Sequence, residues 1–141
     1  MSGTGTRVAA LDVGDARVGI AVSDELGLLA SGIGVVRRVG GVRDLDAIGR
    51  LLEPHAPAHL VVGLPLNMDG SEGQQAVKTR RFAERLAAHL GLPLEFQDER
   101  LSSFEAAQRL HAVGVTSARR RTLVDQTAAV VILEDYLARH R

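Results

Sequence analysis

The 141-residue sequence contains no cysteine, which excludes a disulfide framework, a thiol nucleophile and a thiolate zinc site. Aromatic residues make up only 3%, so we do not expect a stacking platform for single-stranded nucleic acid. No apolar run approaches the roughly 20 residues that cross a bilayer. The N-terminus also lacks the charged and apolar regions of a signal peptide, so we expect a cytoplasmic protein without membrane contact.

The sequence has no excess of charge, because 17 basic residues balance 17 acidic residues. A neutral protein has no long-range field that attracts nucleic acid, so any polyanion must bind through local contacts. Lys78 is the only lysine, and the abundant arginine suits bidentate phosphate contacts. A biased codon composition explains the arginine content equally well. The length corresponds to one domain spanning residues 1–141.

Hydrophobic periodicity predicts an α/β fold in the order β-β-β-α-β-α-β-α-α. The predicted strands are 7–12, 18–23, 28–37, 59–64 and 94–97, and the predicted helices are 44–53, 74–90, 102–113 and 121–139. The continuous apolar run at 59–64 is typical of a strand covered on both faces. Helix 74–90 is expected to turn Val77, Phe82, Leu86 and Leu90 inward. Right-handed crossovers would place the first and fourth strands side by side.

Asp12 is the first candidate site residue, because it ends an apolar strand. Period-two alternation places it on the face of Val8 and Ala10, and Gly14 just beyond it permits close approach of a backbone or a phosphate. Acids at the carboxyl ends of strands are frequent in the sites of open α/β sheets. The alternative is a turn-forming aspartate that bonds the backbone of Gly14.

Asp125 is the second candidate, because helical periodicity places it inside the apolar arc of the last predicted helix. Burying a carboxylate there without a partner would cost several kcal/mol. A metal ion would supply that partner. The alternative is an ion pair with an arginine such as Arg121 or Arg17.

The triplet Asp98-Glu99-Arg100 directly follows the fifth predicted strand. Because side chains alternate along a strand, Asp98 and Glu99 are expected to point to opposite faces, so only one of them can join the other acids. The remaining acid would orient Arg100 or cap the following helix. Taken alone, such a triplet is more often a solvated loop than a site.

Carboxylates from distant segments suit Mg²⁺ or Mn²⁺, because these hard cations prefer oxygen ligands. Two such ions about 4 Å apart can activate a water and stabilise the leaving oxygen in phosphodiester cleavage. This is nuclease chemistry. The five histidines show no mutual ligand spacing, so we interpret them as surface or helix-end residues and do not expect zinc.

The sequence resembles the YqgF/RuvX family, whose members are Holliday-junction resolvase-like nucleases with an RNase H-like fold. Four segments match the family in order: 11–14 with 17–24 (LDVG, RVGIAVSD), 62–70 (VGLPLNMDG), 98–106 (DERLSSFEA) and 124–133 (VDQTAAVVIL). Together they extend over nearly the whole chain, which makes a chance match a poor explanation.

The resemblance implies a five-stranded mixed sheet of order 3-2-1-4-5 with helices on both faces. It also implies a metal-dependent nuclease that matures the 5′ end of precursor 16S rRNA, with resolution of DNA junctions as the alternative. Carried over to this chain, the catalytic and metal-binding acids become Asp12, Glu99 and Asp125, and Asp98 is a further candidate ligand. The choice of Glu99 over Asp98 comes mainly from the family.

The sequence departs from the family pattern at Asp15 and Ala16, where members usually have a small or hydroxyl residue followed by lysine. An extra negative charge therefore stands near the site, and one cation is missing. In many RNase H-like enzymes the second acid comes from the fourth strand, whereas that strand ends here in Gly63-Leu64-Pro65. The resemblance assigns the second acid to Glu99, and a Glu99 that does not reach Asp12 would leave the site without its second ligand.

Substrate phosphates are expected to contact arginines near the acids and two local basic clusters. The residues are Arg17, Arg100, Lys78, Arg80, Arg81, Arg119, Arg120 and Arg121. Ordinary solvated helix surfaces explain each cluster about equally well. Expected partners are structured RNA, including the ribosomal small-subunit precursor, or branched or single-stranded DNA, bound by a monomer or a homodimer.

Two other functions compete with the nuclease. One is a binding module that kept the fold and lost catalysis, which the zero net charge allows. The other is an enzyme of the sugar-kinase and actin class, which also begins with a strand ending in Asp-x-Gly. Those enzymes need a second lobe to close over ATP, and 141 residues leave no room for it.

Overall fold

The computed structural model describes residues 6–99 and 117–140, with the side chains of 117–126 outside that description. The elements that it contains are β1 Val8–Val13, β2 Arg17–Ser23, β3 Ala30–Arg37, α1 Val42–Leu52, β4 His59–Leu64, α2 Gln74–Leu90, β5 Leu94–Asp98 and α3 Ser117–Arg139. A short 3-10 turn, Glu53–His55, follows α1. None of these helices is long and apolar enough, within the described residues, to span a membrane.

The five strands form one mixed sheet of order β3-β2-β1-β4-β5, which confirms the expected topology. β1, β2 and β3 pair antiparallel, whereas β4 pairs parallel to both β1 and β5. The register between β2 and β3 shifts between Ile20 and Ala21, opposite Gly34 and Gly32, which indicates a bulge in this pair of strands. The carboxyl ends of β1, β4 and β5 therefore lie at one end of the sheet.

Helices cover both faces of the sheet, as expected. α1 and α2 pack over one face, where Ile48 and Leu86 are fully buried, and α3 packs over the other with Ile132 and Leu133. β4 contributes side chains to both cores. Leu60 is buried on the side of α1 and α2, and the residue that follows it in the strand is buried on the side of α3. This confirms the interpretation of 59–64 as a central strand.

Several predicted boundaries were wrong by a few residues. β3 begins at Ala30 rather than at residue 28, because the Asp24 carboxylate accepts the backbone N–H groups of Leu28 and Leu29 and holds them in a turn. The helix predicted at 44–53 begins at Val42 and ends at Leu52, and α3 begins at Ser117 rather than at residue 121. The helix predicted at 102–113 lies outside the described residues.

The inward face of α2 also differs from the prediction at its first turn. Phe82 and Leu86 are buried as expected, but Val77 is 36% exposed, so its inward placement was wrong. Ala76 and Thr79 face the core instead. The helix ends as predicted at Gly91, whose φ of 67° is readily adopted by glycine.

Candidate active site

Asp12 lies one residue before the end of β1 and is half-buried. It pairs with Gly19 of β2. Ala10, two residues earlier on the same face, packs in the core beneath α3. Asp12 therefore stands on the α3 side of the sheet, where that core opens toward the end of the strands.

A row of three residues crosses the sheet at this level. β1 pairs with β4 in a register that aligns Leu11 with Val62, so the next residue, Asp12, comes beside Gly63. Gly63 in turn pairs with Gln97 of β5. The row of Asp12, Gly63 and Gln97 thus crosses three strands that are neighbours in the sheet although they are far apart in the sequence.

Gly63 makes space for an acid at the centre of this row. A Cβ atom at this position would lie 2.5 Å from Cδ1 of Ile132 and 2.9 Å from Cγ of Glu99. Both contacts are closer than carbon atoms tolerate. The Glu99 side chain consequently lies over β4, in space that any residue larger than glycine would fill.

Glu99 follows β5 directly, and its backbone N–H donates to the carbonyl oxygen of Leu64 at 3.1 Å. Burial raises the pKa of its carboxyl from 4.5 to about 7. The hydrogen bond from Gln97 works in the opposite direction, and the nearby charge of Asp135 raises the pKa further. A carboxyl in such surroundings gains from any cation that stands next to it.

Gln97 connects Glu99 to α3. Its side chain is 6% exposed, and its Nε2 lies 3.0 Å from Oε1 of Glu99, 3.0 Å from the carbonyl oxygen of Ile132 and 3.3 Å from Oδ2 of Asp135. The amide group has two hydrogens for these three acceptors. Sequence reasoning missed this residue, and its alternation with Glu95 and Glu99 on one face was the available signal.

Alternation along β5 assigns Asp98 to the other face of the strand, although its charge also contributes to the raised pKa of Glu99. Period-two alternation puts it on the face of Phe96, which packs against the α1 and α2 core, whereas Gln97 and Glu99 contact the α3 side. Asp12 and Glu99 therefore share one face of the sheet, and Asp98 lies on the other.

The remaining predicted acid and several predicted cations have side chains outside the part of the chain that the structure describes. The backbone of Asp125 belongs to α3, seven residues before Ile132, and its side chain is outside the described residues. The same holds for the side chains of Arg119, Arg120 and Arg121, and Arg100 lies outside altogether. Among the side chains that the structure describes, no three His, Asp or Glu residues are grouped to hold a metal ion.

The turn between β1 and β2 is held from the opposite side of the sheet. Nη1 of Arg38 donates to the carbonyl oxygen of Gly14 at 2.8 Å, and the guanidinium lies 4.5 Å from the centre of the Phe82 ring. Gly14 also fits closely, because a Cβ there would lie 3.0 Å from the carbonyl oxygen of Arg17. This bracing gives the segment directly after Asp12 a defined position.

The predicted phosphate-binding residues of α2 differ in their surroundings. Nε of Arg80 donates to Oε1 of Glu72 at 3.2 Å, and its guanidinium stacks 4.6 Å from the centre of the Phe96 ring. Lys78 and Arg81 are exposed and line a cleft between α1 and α2. Arg80 is thus occupied within the protein, whereas the other two face open space.

The histidines form no common site among the described residues. His89 bonds Asp46 on the surface, and His140 stacks on Tyr136 near the end of α3. His59 differs from the expected surface or helix-end position, because it begins β4, is partly buried and lies 3.0 Å from the hydroxyl of Tyr136.

Comparisons with known proteins agree with this architecture. A family model described as "RuvX: Holliday junction resolvase" matches residues 6–139. A Myxococcus xanthus protein named "Putative pre-16S rRNA nuclease" is 48% identical over 135 residues, which cover 96% of this chain and 89% of its own. A Symbiobacterium thermophilum protein of the same name is 46% identical over 131 residues, which cover 93% and 91%.

A solved structure with the same fold is that of T. thermophilus RuvC in complex with a Holliday junction substrate. It has a TM-score of 0.55 and 17% identity, with 96% of both chains covered. At this identity the similarity concerns the fold alone. Because the family model matches almost the entire chain and the similarity to its relatives approaches half of all positions, this chain belongs to the RuvX family of Holliday junction resolvase-like proteins.

Proposed function

We propose that this protein is a metal-dependent nuclease that hydrolyses phosphodiester bonds, with Asp12, Glu99 and Asp125 as its catalytic acids. The observation that carries the proposal is the placement of Glu99 over Gly63, on the same face of the sheet as Asp12. A carboxylate held there against the cost of burial needs a compensating positive charge. The family to which the chain belongs supports the same chemistry.

The donor set fits a hard divalent cation. Asp12 and Glu99 offer only carboxylate oxygens, which Mg²⁺ and Mn²⁺ prefer, and the sequence contains no cysteine that could compete. Divalent cations held by these carboxylates would, in the two-ion form of the reaction, activate a water and stabilise the leaving oxygen in phosphodiester cleavage. Asp125 is the third ligand in this proposal.

The surrounding residues have defined tasks in the proposed site. Gln97 donates to Oε1 of Glu99 and so leaves the other carboxylate oxygen for a ligand. Gly63 keeps the space over β4 that Glu99 needs. Because protons compete with cations for the Glu99 carboxyl, loading of the site would release a proton near neutral pH.

For the substrate, we propose precursor 16S rRNA, cleaved during maturation of its 5′ end. The names of the relatives from Myxococcus xanthus and Symbiobacterium thermophilum support this choice. A DNA junction is the second candidate, favoured by the description of the family model. The phosphates near the cut would contact Arg17, which directly follows the turn beyond Asp12.

One cleavage assay tests the acids and the substrate together. The substrates are a stem-loop RNA with a single-stranded 5′ extension, a single-stranded DNA and a four-way DNA junction, each with Mg²⁺ or Mn²⁺ titrated. We expect Asp12→Asn and Glu99→Gln to lower the cleavage rate at least about 100-fold, since each change removes a charge from the site. The matched control, Asp98→Asn, should stay within about threefold of the parent.

The possible contrary results separate the alternatives. Loss of activity in Asp98→Asn but not in Glu99→Gln would reverse the assignment of the second acid. Salt-dependent binding without cleavage of any substrate in either metal would instead identify a binding module that lacks catalysis. A clear preference for the four-way junction over the RNA would favour the DNA substrate.

A further inference from the structure

A cleft of about 420 Å³ lies between α1 and α2, on the face of the sheet opposite α3. Its charged lining comprises Arg38, Lys78, Arg81, Arg85, Asp15 and Asp44. Cations therefore outnumber acids in this cleft, although the whole chain carries no net charge. A positive region on a neutral protein marks a place where a polyanion can bind locally.

Three of these cations form a line along α2. Lys78, Arg81 and Arg85 are exposed and follow one another at helical spacing, so they share one side of the helix. At about 1.5 Å per residue the line extends for roughly 10 Å. None of the three forms an ion pair with another residue in the described part of the chain. Together they give this side of α2 a row of positive charges along the cleft.

Asp44, one of the two acids that line the cleft, already has hydrogen-bond and ion-pair partners within the protein. The Asp44 carboxylate is 4% exposed, accepts the backbone N–H groups of Val39 and Gly40 at 2.8 and 3.1 Å, and lies 3.9 Å from Nε of Arg38. Arg38 is likewise held by Gly14 and Phe82. Arg38 and Asp44 therefore offset each other in the wall of the cleft, and the remaining charged lining consists of three α2 cations and Asp15.

The cleft opens at the same end of the sheet as the proposed catalytic acids. β3 and β4 both run parallel to β1, so α1 and α2, which follow them, begin at the end where β1 reaches Asp12. Helix N-termini favour negative groups, and Gly40 and Gly41 at the start of α1 line the cleft. Asp15, also in the lining, is three residues from Asp12, which limits their Cα separation to about 11 Å.

We propose that this cleft binds backbone phosphates of the substrate strand beyond the cleaved bond, after the strand passes over the turn between β1 and β2. This proposal rests on the proposed nuclease function. The α2 cations extend for roughly 10 Å. At about 3.4 Å per nucleotide of a stacked strand, this length corresponds to about three successive phosphates.

In this arrangement the two faces of the sheet have different roles in the reaction. The face under α3 carries the acids, and the face under α1 and α2 holds the strand that leads away from them. Because the cleft residues contact phosphates rather than bases, binding there should be insensitive to sequence and sensitive to salt. The cleft therefore contributes affinity and leaves the chemical step unchanged.

The test uses Arg81→Glu and Arg85→Glu, with Arg50→Glu as the matched control. Arg50 is exposed on α1 and lies outside the cleft, and its reversal changes the net charge by the same amount. Binding of a fluorescein-labelled, single-stranded RNA of 20 nucleotides is measured by anisotropy in EDTA at several salt concentrations. Circular dichroism confirms that the three variants fold alike.

We expect each cleft variant to weaken RNA binding about tenfold at low salt and to reduce the salt slope by roughly one, with Arg50→Glu unchanged. In the cleavage assay the cleft variants should raise KM and keep kcat within about twofold. Equal effects of all three reversals, or no binding of the RNA by the parent, would overturn the cleft proposal.

The failure of this proposal is distinguishable from the failure of the nuclease function. Parent protein that cleaves in Mg²⁺ or Mn²⁺, with cleft and control variants alike, would refute the cleft and leave the nuclease in place. Parent protein that cleaves nothing, with RNA binding weakened only by the cleft variants, would refute the nuclease and support the cleft as a nucleic-acid site.

Discussion

The raised pKa of Glu99 makes a testable prediction about the stability of the metal-free protein. The folded state binds the proton of this carboxyl more tightly than the unfolded chain does, since burial raises the pKa from 4.5 to about 7. The contribution of Glu99 to the free energy of unfolding is therefore full below pH 4.5 and falls as the pH rises to about 7. Above that window the ionised carboxylate remains as a constant cost.

The size of this cost follows from the same shift. At about 1.4 kcal/mol for each tenfold change in proton affinity, the full effect would be about 3 kcal/mol. Because the side chain is only half-buried, solvent screening reduces the effect to about 1 kcal/mol. Glu99→Gln keeps the shape and removes the charge, so we expect it to be about 1 kcal/mol more stable than the parent at pH 8 and equal at pH 4.5.

Urea unfolding in EDTA, from pH 4.5 to pH 8.5, measures this difference. Glu84→Gln is the control, because it makes the same chemical change at a residue that is exposed on α2. A gain in stability that is the same at every pH, or a variant that is less stable than the parent at pH 8, would refute the reasoning. Adding Mg²⁺ at pH 8 should stabilise the parent more than the variant, since only the parent offers the Glu99 charge.

Three further changes test the packing around the site and the cleft. Gly63→Ala should cost about 1–3 kcal/mol in urea unfolding, because its Cβ would overlap Ile132 and Glu99. Gln97→Leu removes the hydrogen bond that lowers the pKa of Glu99, so carboxyl NMR titration should show that pKa rising above its present value of about 7. Asp44→Ala should destabilise the fold by about 2 kcal/mol, measured by thermal unfolding, because the backbone N–H groups of Val39 and Gly40 lose their carboxylate acceptor and Arg38 loses its partner.

Much of the fold could be predicted from the sequence, because the signals for strands and helices are local. The apolar run at His59–Leu64 and the helix at Gln74–Leu90 were predicted with their observed bounds. Their length, their apolar spacing and the stop at Gly91 depend only on neighbouring residues. The start of β3 was misplaced, because a side chain of Asp24 competes there for the backbone donors that a strand would use.

The position of Asp12 at the end of a strand could also be predicted from neighbouring residues, but the roles of Gly63 and Gln97 could not. Sequence alone shows a glycine in one strand and a glutamine in another, more than thirty residues apart. Only the register of β1, β4 and β5 brings them into one row with Asp12, and only the packing of Ile132 makes Gly63 the place over which Glu99 extends.

The basic residues illustrate the same division. Sequence identified Lys78, Arg80 and Arg81 as one cluster, because they are adjacent in the chain. Folding separates them: Arg80 pairs with Glu72 and stacks on Phe96, whereas the other two line the cleft with Arg85. Composition and periodicity determine which elements form, and the side chains that meet across those elements depend on long-range packing that local patterns do not contain.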